Sequence, residues 1–279
     1  MRNHITATNS PLVLFLSVIL ALLWTGCRDD EISKLPEAIG GGVEQRVLLI
    51  DDDEGVEGTF TGAPGTPTWE STLDALGVSY DVEELAINGD STSNLSDYSV
   101  VIWTVGASPV DNLTANNIAQ LQSYLDSGGR LLYAGGHNVY SETQAGASNF
   151  IDTYLGLAFY SGNMPTIIDT GAPVPTTGQG HPTVGSATYN LWYWPGAGSG
   201  LGECGAECGN MFSGFNIGLP TATGLLDIQG VNLSGGSGYF AAANVAGSYR
   251  TITWGFDINY VDPADQAQLL GNALFFLVQ

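Results

Sequence analysis

Short, uninterrupted apolar runs alternate along this chain with amphipathic stretches. Val47-Leu48-Leu49-Ile50, Val100-Val101-Ile102-Trp103 and Leu131-Leu132-Tyr133-Ala134 are continuous runs. That pattern marks strands buried on both faces. Ser79 to Leu85 alternates and predicts a further strand. Between these runs the period changes. Trp69 to Leu76 predicts a helix stopped by Gly77. Thr114 stands at an N-cap position ahead of Ile118, Leu121 and Leu125, and Gly128-Gly129 closes that helix. Phe150 to Leu155 predicts part of another helix. Strand and helix in this rhythm predict βαβ units around a parallel sheet with right-handed crossovers.

The rhythm breaks over 156–238, which is rich in Gly, Pro, Ser, Thr and Asn. Long loops and short, partly antiparallel strands on the same core are expected there. Gly238 to Val245 and Tyr249 to Phe256 flank Ala246-Gly247-Ser248, a hairpin signal. Pro263 opens the last helix, with Leu269, Leu270, Ala273, Leu274 and Leu277 on its apolar face. The expectation is one three-layer α/β domain over 46–279, with a separate small β domain in the loop-rich part as the alternative. No period of 20 to 50 residues repeats, which excludes a solenoid.

The first residues obey a different pattern. Arg2 and His4 precede an apolar stretch from Pro11 to Trp24, followed by Thr25, Gly26 and Cys27. This is the layout of a secretory signal. The stretch is shorter than the roughly 20 residues a membrane-spanning helix needs. Leu23-Trp24-Thr25-Gly26-Cys27 resembles the lipobox of bacterial lipoproteins, which implies a signal over 1–26 and a lipid on Cys27. Residues 27–45, with Gly40-Gly41-Gly42, read as a flexible tether. The expected location is the bacterial cell envelope, at the outer membrane or cell surface, with lipid on Cys27 as the membrane attachment.

Charge narrows the partners. The chain carries 6 basic and 28 acidic side chains, a formal net charge of −22. Such a surface repels phosphate backbones, so no nucleic-acid partner is expected. Anionic headgroups repel it too, which leaves attachment to the lipid. Cys204 and Cys208, in a Gly-rich segment, are an even remainder that suggests a disulfide in an exported protein. Zinc is the thinner alternative, with His181 as the nearby extra ligand, and free thiols are a third option.

The order and spacing of four pieces carry a family resemblance. They are Val47 to Asp53, Ser99 to Trp103, Leu121 to Gly136 (LQSYLDSGGRLLYAGG), and Tyr249 to Leu277. Together they are similar to the class I glutamine-amidotransferase-like, flavodoxin-like domains of exported bacterial proteins. The resemblance implies a mostly parallel sheet with a late antiparallel hairpin. It also implies a cysteine nucleophile on the turn after a buried strand, with His and Glu after a late strand. The corresponding turn here reads Ala134-Gly135-Gly136-His137, and the late strand ends Thr253-Trp254-Gly255-Phe256-Asp257. The catalytic Cys, His and Glu are absent, which argues against glutamine hydrolysis.

Ligands of open parallel sheets bind beyond the carboxyl ends of the strands. Asp51, Asp52 and Asp53 are expected there, either holding Ca²⁺ or Mg²⁺ or capping a turn. His137 is a candidate acid or base, or a histidine bonded to backbone. Asp257 either joins the aspartates or caps a turn. Trp192, Tyr193 and Trp194, next to Tyr189, either stack on a ligand or cover the sheet edge. Two functions follow: a non-catalytic domain that binds a protein or glycan partner, or a metal-assisted hydrolase using Asp51, Asp52, Asp53 and His137.

Overall fold

The computed structural model describes residues 46–52, 65–86, 89–106, 113–136, 138–158, 174–191, 216–228 and 238–279. Strand β1 (Val47–Asp51) is buried along its whole length. Helix α1 (Gly65–Leu76) leads to β2 (Tyr80–Glu84), and β3 (Val100–Thr104) to helix α2 (Ala115–Asp126). Strand β4 (Arg130–Ala134) leads to the short helix α3 (Asn138–Gln144). Then come β5 (Leu157–Ala158), β6 (Val174–Gly178), β7 (Thr188–Leu191), β8 (Asn216–Ile217), β9 (Ala222–Ile228), β10 (Tyr239–Ala246), β11 (Tyr249–Trp254) and helix α4 (Pro263–Val278).

Nine strands form one sheet in the order β2-β1-β3-β4-β11-β10-β9-β6-β7. The first five are mutually parallel. Their order is that of a flavodoxin-like wound sheet. The remaining four continue it antiparallel. The fold is therefore α/β on a mixed sheet of mostly parallel strands. The loop-rich middle of the sequence adds β6, β7 and β9 to this sheet, while β5 and β8 pair antiparallel in a separate two-stranded sheet. Strand β11 joins the two halves, pairing in parallel with β4 and antiparallel with β10. Gly247, at φ 61, turns the β10–β11 hairpin, a conformation that costs an L side chain energy.

Alternation within β1 divides the core. Val47 and Leu49 face α1 and α4, packing with Trp69, Leu73, Leu270 and Leu274. Leu48 and Ile50 face the other way, onto Leu121 and Leu125 of α2 and Phe150. These are the three layers read from the sequence. Helices α2 and α4 open at Thr114 and Pro263 as expected. Thr114 accepts from the Asn117 N–H, and Asp262 accepts from the Ala264 N–H with Pro263 at the first helical position. At the far end of α4, Arg250 donates to the Phe276 carbonyl at 2.6 Å and lies over its ring. One expected helix differs. Ser148–Phe150 is a single helical turn, and Ile151–Leu155 winds on as a π-helical turn ended by Gly156. No described helix is long and apolar enough to cross a membrane.

Candidate functional site

Because β1, β3, β4 and β11 run in parallel, their carboxyl ends meet at one edge of the sheet. Asp51 ends β1 opposite Thr104, the last residue of β3. The Asp52 N–H donates to the Thr104 carbonyl at 2.9 Å. Beyond β11, Gly255 and Phe256 bring Asp257 to the same edge. The sequence thus places Asp51, Asp52 and Asp257 correctly, and all three are buried.

Asp257 is a junction. Its Oδ2 accepts from Trp69 Nε1 at 2.9 Å and from Thr104 Oγ1 at 2.7 Å. Its Oδ1 accepts from the Asn259 N–H at 2.8 Å, capping the turn Ile258–Tyr260. Asp257 thus caps this turn, and the same carboxylate also ties α1 to β3. Trp69 stacks on Trp254, which stacks on Phe256. Asp52 Oδ2 accepts from Trp103 Nε1 at 2.9 Å.

Sequence reasoning missed a fourth buried carboxylate, Glu142 of α3. Its Oε1 accepts from the Leu113 N–H at 2.7 Å and the Tyr133 hydroxyl at 3.0 Å. Its Oε2 is buried and has no hydrogen-bond partner. Burial pushes the pKa of this carboxyl up to about 7, and the nearby Asp52 charge adds to the rise. The sequence offered one weak signal, a glutamate three residues after the buried Val139.

The turn after β4 is equally committed to the fold. The Gly135 N–H donates to the Trp254 and Phe256 carbonyls, and the Gly136 N–H donates to the Gly106 carbonyl at 2.7 Å. The Gly106 N–H donates to Thr104 Oγ1 at 3.2 Å. Asn138 donates to the Trp254 carbonyl at 2.8 Å. An oxyanion site needs backbone donors aimed at a ligand. Here these three glycine donors are taken by carbonyl or hydroxyl oxygens of the fold itself.

Asp53, His137, Cys27, Cys204, Cys208, Trp192, Tyr193 and Trp194 lie outside the described residues. Among the described residues, no three His, Cys, Asp or Glu side chains are grouped to hold a metal ion. Tyr189, their neighbour in sequence, is core. It is buried and donates to the Val184 carbonyl at 3.2 Å. His181 lies beside Thr183 and packs edge-on against Phe276. Burial holds its pKa below the ordinary histidine value.

No family model matches the chain, and no curated protein matches it. Its likeness is to solved structures. One is Agd3, a carbohydrate deacetylase, at 15% identity and a TM-score of 0.53, over 84% of this chain and 32% of that one. The chain thus spans about a third of Agd3. Another is the mmIFT52 N-terminal domain, at 16% identity and 0.51, over 84% and 98%. A glutamine amidotransferase from Thermotoga maritima follows at 13% and 0.47, over 85% and 100%. At these identities the likeness is one of fold. The wound-sheet assignment rests on the strand order above.

Proposed function

We propose that this chain is a lipid-anchored protein of the bacterial envelope whose α/β domain binds a protein or glycan partner without transforming it. The observation that carries this reading is the state of the carboxyl edge. Residues 134–138 read Ala-Gly-Gly-His-Asn, with no Cys, Ser or Thr to attack a substrate. The glycine donors beside them and the oxygens of Asp257 are engaged by the fold. The signal pattern before Cys27 and the tether after it support the location. A carbohydrate deacetylase with a region of this fold supports a glycan as one class of partner.

The second reading is a metal-assisted hydrolase built on Asp51, Asp52, Asp53 and His137. Asp51 and Asp52 do share the edge with Glu142, whose proton is held to near neutral pH, as a general acid requires. The Trp103 bond to Asp52 weighs against it.

The test uses the full chain in detergent against polysaccharides and proteins of a bacterial envelope. Saturable binding of one class, with the ligand's mass unchanged, is expected. No binding, or a ligand changed in mass, would overturn the reading. Palmitate labelling should be present in the wild type and absent in Cys27→Ser.

A further inference from the structure

One flank of α2 is largely polar, interrupted by Ala119. Asn116, Gln120, Ser123 and Ser127 recur at helical spacing, opposite the buried Leu121 and Leu125. With the connection from β2 to β3, this face borders an open cleft of about 670 Å³, lined also by Asp90, Asn94, Leu95 and Tyr124. The cleft lies along the flank of α2. Asp51, Asp52 and Asp257 of the carboxyl edge are not among its lining residues.

We propose that this cleft binds a neutral oligosaccharide, an inference that rests on the reading of the domain as a binding module. Its size is within the roughly 300–1,000 Å³ of small-molecule sites. Its walls combine hydroxyls and amides with the apolar surface of Leu95, Ala119 and Tyr124, a mixture that suits both the hydroxyl rim and the C–H faces of a sugar ring. Sugar hydroxyls donate and accept at once, and Asn and Gln side chains offer both functions. No Lys or Arg lines the cleft. Its one carboxylate, Asp90, accepts from Thr114 Oγ1 and from Asn116 Nδ2, and these bonds hold its pKa below the ordinary value. An ionised Asp90 disfavours sulfated and uronate sugars.

The side chains are also held in place before any ligand arrives. Asn116 is fixed by Asp90 at 2.7 Å. Asn94 donates to Asp97 at 3.0 Å and accepts from Ser96 at 2.9 Å. Fixed side chains lose less freedom on binding. Gln120 donates to the Ser91 carbonyl at 3.0 Å, while its Oε1 is shielded and has no hydrogen-bond partner.

The experiment is an array of neutral glucans, mannans, galactans and xylans beside uronate-bearing and sulfated oligosaccharides, probed with the full chain in detergent. The wild type should bind at least one neutral class and no acidic one. The Asn116→Ala/Gln120→Ala variant should lose at least tenfold in affinity with an unchanged melting temperature. Ser123→Trp, which fills the cleft from an exposed position, should lose the same binding, and Ser71→Ala on α1 should keep it. Full binding by folded cleft variants would overturn the cleft while leaving a glycan partner standing. No neutral glycan bound by the wild type would overturn the proposal. A protein partner retained equally by all variants would then leave only the broader reading.

Discussion

Thr104 Oγ1 donates to Asp257 Oδ2 at 2.7 Å, joining the carboxyl end of β3 to the turn after β11. The same oxygen takes the Trp69 indole N–H from α1. One carboxylate therefore fastens three segments at the edge where enzymes of wound sheets place their chemistry. Removing it strands two buried donors and uncaps a turn, and each unsatisfied group costs roughly 1–3 kcal/mol. Asp257→Ala should lower unfolding stability by about 3 kcal/mol or more, read from urea denaturation. Asp257→Asn, which keeps one acceptor, should cost less. A loss below about 1 kcal/mol for the alanine variant would show that the junction is not structural.

Glu142 gives a pH dependence of defined sign. Its folded-state pKa is raised from 4.5 to about 7, so the native state holds a proton that the unfolded chain has released. Its contribution is complete below about pH 4.5 and is lost as pH rises toward 7. Glu142→Gln has no such loss. The stability of this variant relative to wild type should rise from pH 4.5 to 7, by up to about 3 kcal/mol, and then level off. A difference that does not vary with pH would contradict the burial of this carboxyl in its neutral form.

Gly135 is required by space as well as by backbone angle. It sits at φ 146, and a Cβ there would lie 2.5 Å from Val105 Cγ2 and 2.9 Å from the Gly106 carbonyl oxygen. Gly135→Ala should cost about 2–4 kcal/mol, combining strain and overpacking. Thermal melts of the full chain check this. An unchanged melting temperature would mean that β3 and β4 do not close on each other at this turn.

Calcium and magnesium separate the two functional readings. Asp52 is held by Trp103, and the described residues group no set of three metal-binding side chains. Millimolar Ca²⁺ or Mg²⁺ should leave the melting temperature where it is. A rise with concentration would reveal a cation bound to the native state and restore the hydrolase reading.

The parallel half of the fold was legible because its strands are buried on both faces and leave unbroken apolar runs at 47–50, 100–103 and 131–134. Beyond the β10–β11 hairpin, which its turn residues marked, the antiparallel extension was legible only as a loss of rhythm. Its strands carry polar residues such as Thr176 and Thr188 among apolar ones, in short pieces. Phe150 to Leu155 read as a continuous helix because apolar spacing does not distinguish an α turn from a π turn. At the candidate site, strand ends located Asp51, Asp52 and Asp257. Their partners were hidden: Trp69 meets Asp257 across 188 residues, and Glu142 stands in a short polar-looking helix. The α2 cleft was hidden for the same reason, since a polar helix face reads as solvated surface until a second segment is laid beside it.

The central proposal is that the carboxyl edge of this sheet holds the fold together and does no chemistry. Mass spectrometry of glutamine and of an N-acetylglucosamine hexasaccharide, each incubated with the full chain, tests it most directly. Both compounds should remain at the level of a protein-free blank. Glutamate or a deacetylated sugar, formed by the wild type and lost in His137→Ala, would contradict it.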